Sequence, residues 1–350
     1  QDRTAVFSPD SPFRLNEIVQ VTLTTGIQDQ VYNPISHSFC WSFRVKSGIG
    51  FIEFEPAVDY SAGSDENGSV VAAEFNYDGY LDLAFTSRQS DGFVGIYLNN
   101  GDGTFDNFNS YDLREPLDII SADLDGDYFV DLAVALYDLA QNDGIGLLFS
   151  EGNGYFQSPS NPTDELYVFD NLCSFDFDGD GDIDIAGINS ELIYDFIEIL
   201  ENDNGDFDVF HAGQYLSVIS LAVGDFDLDG DFDLVTCNLS TEDVELLINN
   251  GDGTFTKGNS YWTDFASPRQ VIAEDFDNDN DLDLAVRGLS NYFFMVYKNQ
   301  GNGNFSDPSQ FFLSNSSYDL SCMYPADVDG DDDIDIVVGI YEDSIGVFEN

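Results

Sequence analysis

Apolar residues along this chain gather in short β-type runs separated by acidic or Gly-rich stretches, and the three-to-four spacing of an amphipathic helix is absent throughout. One set of runs follows an acidic loop: LDLAFTS, VDLAVALY, FDLVTCNLS and IDIVVGIY. Another precedes a Gly-rich turn: GFVGIYLNN, IGLLFS, VELLINN and SIGVFEN. The turn closes on Phe, in LNNGDGTF, EGNGYF, NDNGDF, NNGDGTF and NQGNGNF, which end at Phe105, Phe156, Phe207, Phe255 and Phe305. Both marks recur in phase about every 50 residues. Each repeat reads as four strands, and a four-stranded unit of that length predicts a propeller blade rather than a helical solenoid.

The acidic loop appears at Glu74, Asp123, Asp176, Asp225, Asp275 and Asp327. Going round a closed ring from Asp327 to Glu74 takes about two repeats, so a further blade without the loop is expected within about residues 16–62. There IVQVTLTT, SFCWSFRV and FIEFEP read as strands, while LTTGIQDQVYN (Leu23 to Asn33) stands in place of the carboxylates. The sequence stops at VFEN (Val347 to Asn350), in the phase where VYKN (Val296 to Asn299) leads into a turn and another strand. AVFSPDSPF (Ala5 to Phe13) is similar to NFSDPSQFF (Asn304 to Phe312), so residues 5–13 are expected to complete the last blade. The predicted fold is all-β: one seven-bladed β-propeller over residues 1–350, its six loop-bearing blades in about 63–350, closed by the N-terminal strand.

Oxygen-bearing side chains fall at positions 1, 3, 5 and 9 of each acidic loop. The first loop offers Glu74, Asn76, Asp78 and Asp82, and the second Asp123, Asp125, Asp127 and Asp131. The third and fourth offer Asp176, Asp178, Asp180 and Asp184, then Asp225, Asp227, Asp229 and Asp233. The last two offer Asp275, Asp277, Asp279 and Asp283, then Asp327, Asp329, Asp331 and Asp335. Such spacing wraps a short loop round one hard cation needing six to eight oxygens, with the carbonyl of position 7 (Tyr80, Phe129, Asp182, Asp231, Asp281, Asp333) and water completing the shell. Calcium suits that donor count better than magnesium, which demands a strict octahedron and keeps its waters. About six Ca²⁺ per chain are expected.

An EF-hand would place a bidentate Glu at position 12, where this chain has Phe85, Val134, Gly187, Thr236, Val286 and Val338. Position 9 instead opens a strand. Gly79, Gly181 and Gly230 fill position 6 in three loops, and Tyr128, Asn280 and Asp332 in the others. Asn tolerates a left-handed backbone better than most residues, so the second and sixth loops are expected to be distorted or weaker. Four carboxylates about 5 Å apart repel by roughly 3 kcal/mol per pair at an effective dielectric near 20. A marginally stable fold could not hold six such clusters without a counter-ion, which sets the metal reading above that of plain acidic turns.

The DxDxDGxxDL pattern, clearest in DFDLDGDFDL (Asp225 to Leu234), resembles the FG-GAP/VCBS repeats of integrin α-chain propellers and of many secreted microbial proteins. The resemblance spans nearly the whole chain. It implies a seven-bladed propeller with Ca²⁺ between the first and second strands of a blade, bound at the positions named above. The Phe-Gly and Gly-Ala-Pro elements that name the integrin repeat are absent, so integrin-type partner binding is not implied.

Composition narrows the function. The 350 residues are 43% hydrophobic and 15% aromatic, enough for a large core, which separates the chain from disordered acidic tails. Ten Lys and Arg against 67 Asp and Glu give a formal charge of -57, which excludes nucleic acid and anionic membrane surfaces as partners. Six Ca²⁺ would offset only a fraction of it, consistent with a salt-tolerant or calcium-rich habitat. No run reaches the roughly 18 to 20 apolar residues of a membrane-spanning helix, and the chain opens at Gln1 as a processed or trimmed chain would. Cys40, Cys173, Cys237 and Cys322 show no metal-ligand spacing, and buried thiols and one or two disulfides fit equally. Sequons at Asn67, Asn238, Asn304 and Asn315 suit a glycosylated secreted protein, although Asn- and Ser-rich sequences also produce them by chance.

These features lead to a non-catalytic extracellular or cell-surface module for adhesion, protein interaction or fibre assembly, meeting a protein or glycan on a propeller rim or a copy of itself. A lectin-like propeller is the alternative, weakened by only two Trp (Trp41, Trp262) and by the absence of an aromatic recurring at one loop position. A polysaccharide- or phosphoester-cleaving enzyme ranks lowest, because His37 and His211 lack a metal-binding or triad-like setting. Most of the 18 Tyr and 31 Phe are expected in core strands.

Overall fold

Every strand pairs with its neighbour in sequence, and all pairings are antiparallel. The computed structural model describes residues 18–23, 39–44, 67–88, 92–105, 108–138, 143–162, 169–190, 195–215, 217–264, 267–289, 292–313, 319–328, 333–340 and 344–350. β1 (Ile18–Leu23) and β2 (Phe39–Arg44) form a two-stranded ladder. The first blade orders β3 (Asn67–Ala73), β4 (Asp82–Ser87), β5 (Phe93–Tyr97) and β6 (Asn109–Asp112). The second has β7 (Pro116–Ala122), β8 (Asp131–Asp138) and β9 (Asp143–Leu148). The third has β10 (Phe169–Phe175), β11 (Asp184–Ser190), β12 (Asp195–Asp203) and β13 (Asp206–Tyr215). β14 (Val218–Gly224), β15 (Asp233–Asn238), β16 (Asp243–Asn249) and β17 (Phe255–Trp262) build the fourth. The fifth comprises β18 (Pro268–Glu274), β19 (Asp283–Gly288), β20 (Phe293–Tyr297) and β21 (Ser309–Phe312), and the sixth β22 (Leu320–Ala326), β23 (Asp335–Ile340) and β24 (Ser344–Phe348).

The fold is thus an all-β propeller, with six blades among the described residues where seven four-stranded blades were expected. β1 and β2 fall in the stretch assigned to the blade without a loop, but a two-stranded ladder is not a blade. The expected strand FIEFEP and the closing strand 5–13 lie outside the described residues. Among the described residues, two blades have three strands rather than four. In the second, only isolated bridges, Ser150 with Phe156 and Leu147 with Ser160, stand where the outer strand should run. Pro159 and Pro162 lack the N–H that a continued ladder needs there.

Cores form between successive blades, not within any one. Ile197 and Ile199 of β12 pack with Leu221, Leu234 and Leu247 of the fourth blade, while Leu200 joins Ala133 and Ile145 of the second. Five such clusters link the six blades in order. A central strand covered on both faces explains why β15, DLVTCN, is buried at every position. Each such Leu or Ile contributes about 1.5–3 kcal/mol. A register shift recurs in the first strand of every blade, for example between Val218 and Ser220 and between Pro268 and Gln270. Cys173, Cys237 and Cys322 are free thiols, and burial raises Cys173 to about 12.

Candidate metal centre

Each acidic loop joins the first strand of a blade to the second, and its conformation depends on two left-handed residues. Position 6 is one, with φ of 89° at Gly79, 72° at Tyr128, 106° at Gly181, 100° at Gly230 and 70° at Asn280. Position 4 is the other, at Tyr77 (59°), Gly126 (73°), Gly179 (76°), Leu228 (62°) and Asn278 (60°). Glycine at either place serves the turn, and the sequence reading considered only position 6. The expected distortion of the second loop is not found: Tyr128 adopts the same backbone, and its N–H donates to Asp123 Oδ2 at 2.9 Å as Gly181 does to Asp176 Oδ2 at 3.1 Å. In the sixth loop Asp329, Asp331 and Asp332 lie outside the described residues, so that expectation and those two ligand positions do as well.

Local hydrogen bonds then place each carboxylate. Position 1 accepts from the N–H of position 6, as in Gly230 to Asp225 Oδ2 (3.2 Å) and Asn280 to Asp275 Oδ2 (2.9 Å). Position 3 accepts from position 5, as Asp180 donates to Asp178 Oδ1 (3.0 Å), and position 5 accepts from position 7, as Asp231 donates to Asp229 Oδ1 (3.0 Å). Position 7 side chains turn to the Gly turn of their own blade. A Cβ on Gly101 would sit 2.8 Å from the Tyr80 ring, and one on Gly152 2.4 Å from Phe129. Asp231 and Asp281 stand likewise against Gly251 and Gly301, and Asp182 Oδ2 accepts from the N–H of Asn204 at 2.9 Å.

Four loops bring three ligand atoms within 4.8 Å of one another: Asp123, Asp125 and Asp127; Asp176, Asp178 and Asp184; Asp225, Asp227 and Asp229; and Asp275, Asp277 and Asp279. The first loop differs because Glu74 reaches further, accepting from Asp78 (3.1 Å) and Gly79 (2.5 Å), and because Asn76 is neutral. Asp123 Oδ1, Asp225 Oδ1 and Asp283 Oδ2 are buried without a hydrogen-bond partner. Buried carboxylate oxygens left in that state are costly unless a cation takes them, so this hard donor set fits a divalent ion such as Ca²⁺.

Position 9 does more than the sequence suggests. Asp233 is fully buried and accepts twice from backbone, from Phe226 N–H at position 2 (3.0 Å) and from Asn249 N–H at the end of the third strand (2.9 Å). The pattern repeats at Asp82, Asp131, Asp184 and Asp335. Burial pushes Asp131, Asp184 and Asp233 up to about 7 and Asp283 up to about 6, against the pull of those backbone bonds and with help from neighbouring carboxylates. Asp180 is raised to about 6 for the same first reason.

One recurrent residue escaped the sequence reading: the Asn at the end of the third strand. Asn202, Asn249 and Asn299 each donate a side-chain amide to the carbonyl of position 8 in their own loop and to the carbonyl of position 2 in the preceding blade. Asn350 repeats this with Ile334 and Phe276. Its signal was the in-phase Asn at 99, 202, 249 and 299, before every Gly turn but that of the second blade, where Ser150 stands. His211, by contrast, stacks on Phe196 and places Nδ1 2.6 Å from buried Glu198, whose other oxygen accepts from Asn189 at 3.1 Å.

Blades of antiparallel strands carrying an acidic loop between their first and second strands define a β-propeller of repeated acidic loops. A family model for the FG-GAP-like repeat matches residues 74–134, 225–286 and 275–338, half of the chain, and the protein belongs to that family. Among solved structures, the chain is similar to a lectin of Agrocybe aegerita described by its specific recognition of non-reducing terminal N-acetylglucosamine. That match has 17% identity and a TM-score of 0.56 and covers 79% of each chain. It is also similar to BBS1N, solved in complex with ARL6DN and soaked with lead, at 15% identity and TM-score 0.54, over 82% of this chain and 80% of the other. No curated protein matches the sequence.

Proposed function

We propose that the chain is a non-catalytic, calcium-stabilised interaction propeller that works outside the cell, where millimolar Ca²⁺ would fill loops of this grade. The observation that carries this is the pair of equivalent oxygens, Asp123 Oδ1 and Asp225 Oδ1, buried without a partner in loops two blades apart. In this reading β1 and β2 belong to a seventh blade. The blades then present a rim to a protein or glycan partner. Thermal unfolding with millimolar Ca²⁺ and with excess chelator, alongside metal content by mass spectrometry, tests it. Five or six Ca²⁺ per chain and a large loss of stability on chelation support the proposal; no bound metal and no shift would sink it.

A lectin-like role is the second reading, favoured by tyrosines exposed on the loops. Tyr77, Tyr80 and Tyr128 stand out among the acidic side chains, and Tyr155 rises from a turn whose Gly154 N–H donates to the carbonyl of Phe75. The recognition of non-reducing terminal N-acetylglucosamine by the Agrocybe lectin makes that sugar the first probe. Binding to a glycan panel that Tyr128→Ala removes would favour this reading over a protein partner.

A further inference from the structure

The residue just before the inter-blade Asn, or before Ser150 that replaces it in the second blade, differs sharply in charge between blades: Leu98, Phe149, Glu201, Ile248, Lys298 and Glu349 occupy that place. Where it is apolar, it packs under the Gly turn of the next blade. A Cβ on Gly154 would meet Leu98 at 2.7 Å, and one on Gly303 would meet Ile248 at 3.7 Å. The position 3 carboxylate lies under that same turn, since Gly303 also faces Asp227 at 3.4 Å. Whatever stands before the Asn is therefore close to position 3 of its own loop.

In the fifth blade that residue is Lys298, and its Nζ lies 2.5 Å from Asp277 Oδ2. Asp277 is one of three carboxylates gathered in the fifth loop. That loop also contains Asp283, fully buried, with Oδ2 unpartnered and with Asp277, Asp279 and Lys298 as its charged neighbours. A cation filling the fifth loop must share Asp277 with an ammonium already on it, at a few ångströms' separation.

We infer that Lys298 is a tethered counter-ion that weakens calcium binding in the fifth loop. The inference rests on the calcium reading above. Its consequence is spatial: Asn278 Nδ2 of the fifth loop donates to Asp333 Oδ1 of the sixth at 2.5 Å, so the weakened site lies at the junction of these two blades.

Calcium titration of the full chain against a competing chromophoric chelator, with metal counted by native mass spectrometry, tests this on the wild type and Lys298→Met. Lys298→Met should tighten one class of sites about tenfold, and the gain should shrink at high salt. Lys257→Met, which breaks the pair between Lys257 and Glu245 in β16, should change no class. Asp275→Asn identifies the site, since it should remove the same class that Lys298→Met tightens. Calcium uptake with every class unchanged in Lys298→Met overturns the inference alone. No calcium uptake by the wild type overturns the metal reading and this inference with it.

Discussion

Asn249 donates its buried side-chain amide to the carbonyl of Phe177, 72 residues earlier and in the preceding blade, at 2.7 Å. The same amide reaches Phe232 O at 3.0 Å, so one side chain ties its own acidic loop to that of its neighbour. Asn249→Ala leaves both carbonyls without this donor and should destabilise by about 1–3 kcal/mol. Exposed Asn250, bonded locally to Thr254 and Thr256, should tolerate alanine at under about 1 kcal/mol. Urea unfolding in saturating Ca²⁺ measures both, and equal losses would contradict the inter-blade role.

The buried position 9 carboxylates give the metal-free protein an unusual pH dependence. Asp131, Asp184 and Asp233 titrate near 7 when folded and near the ordinary 3.8 when unfolded, burial being the first cause. A folded state that holds protons more tightly is favoured by acid: this contribution is full below about pH 4 and is lost as pH rises to about 7. Calcium needs the ionised groups, so its stabilising effect should grow over the same range. Urea midpoints at pH 5 and pH 7.5 should therefore fall with pH in dialysed, metal-free protein and should not fall with Ca²⁺ present.

Tyr128 holds a left-handed backbone at φ 72° with its side chain 80% exposed. Glycine adopts that conformation freely, and Tyr77 Oη donates to the Tyr128 carbonyl, which the substitution keeps. Tyr128→Gly should raise stability by about 0.5–1 kcal/mol. Loss of glycan or partner binding in the same stabilised variant would mark Tyr128 as a contact residue, and loss of stability would refute the strain argument.

Burial separates two of the sequons. Asn238 is 4% exposed and its Oδ1 accepts from the N–H groups of Ser240 (3.0 Å) and Thr241 (3.4 Å), whereas Asn304 is exposed at the tip of a turn. Expression through a glycosylating secretory pathway should modify Asn304 and leave Asn238 bare. Peptide mapping reads the outcome, and a glycan on Asn238 in folded protein would be incompatible with this structure.

The blades themselves were legible because their marks are local. Asp at positions 1, 3 and 5 bends the chain by accepting from N–H groups two to five residues on, so spacing alone predicts the loop at Asp225 as it predicts that at Asp176. Position 4 was missed because Tyr77 and Leu228 give no composition signal there, although Gly126 and Gly179 did. The inter-blade Asn was visible as a repeated letter but not as a contact, since its partner lies some 72 to 78 residues away.

By itself, then, the sequence determined the repeat, the strand class, the loop and the residues gathered in it, all of which follow from hydrogen bonds and sterics within a few residues. Tertiary structure decided what those residues share across blades. Asp233 became a backbone staple because Asn249 N–H arrives beside it, and Lys298 came to rest on Asp277 through strand pairing that no short-range pattern encodes. Electrostatics and buried hydrogen bonds act through space, and only the packing of blade on blade sets those distances.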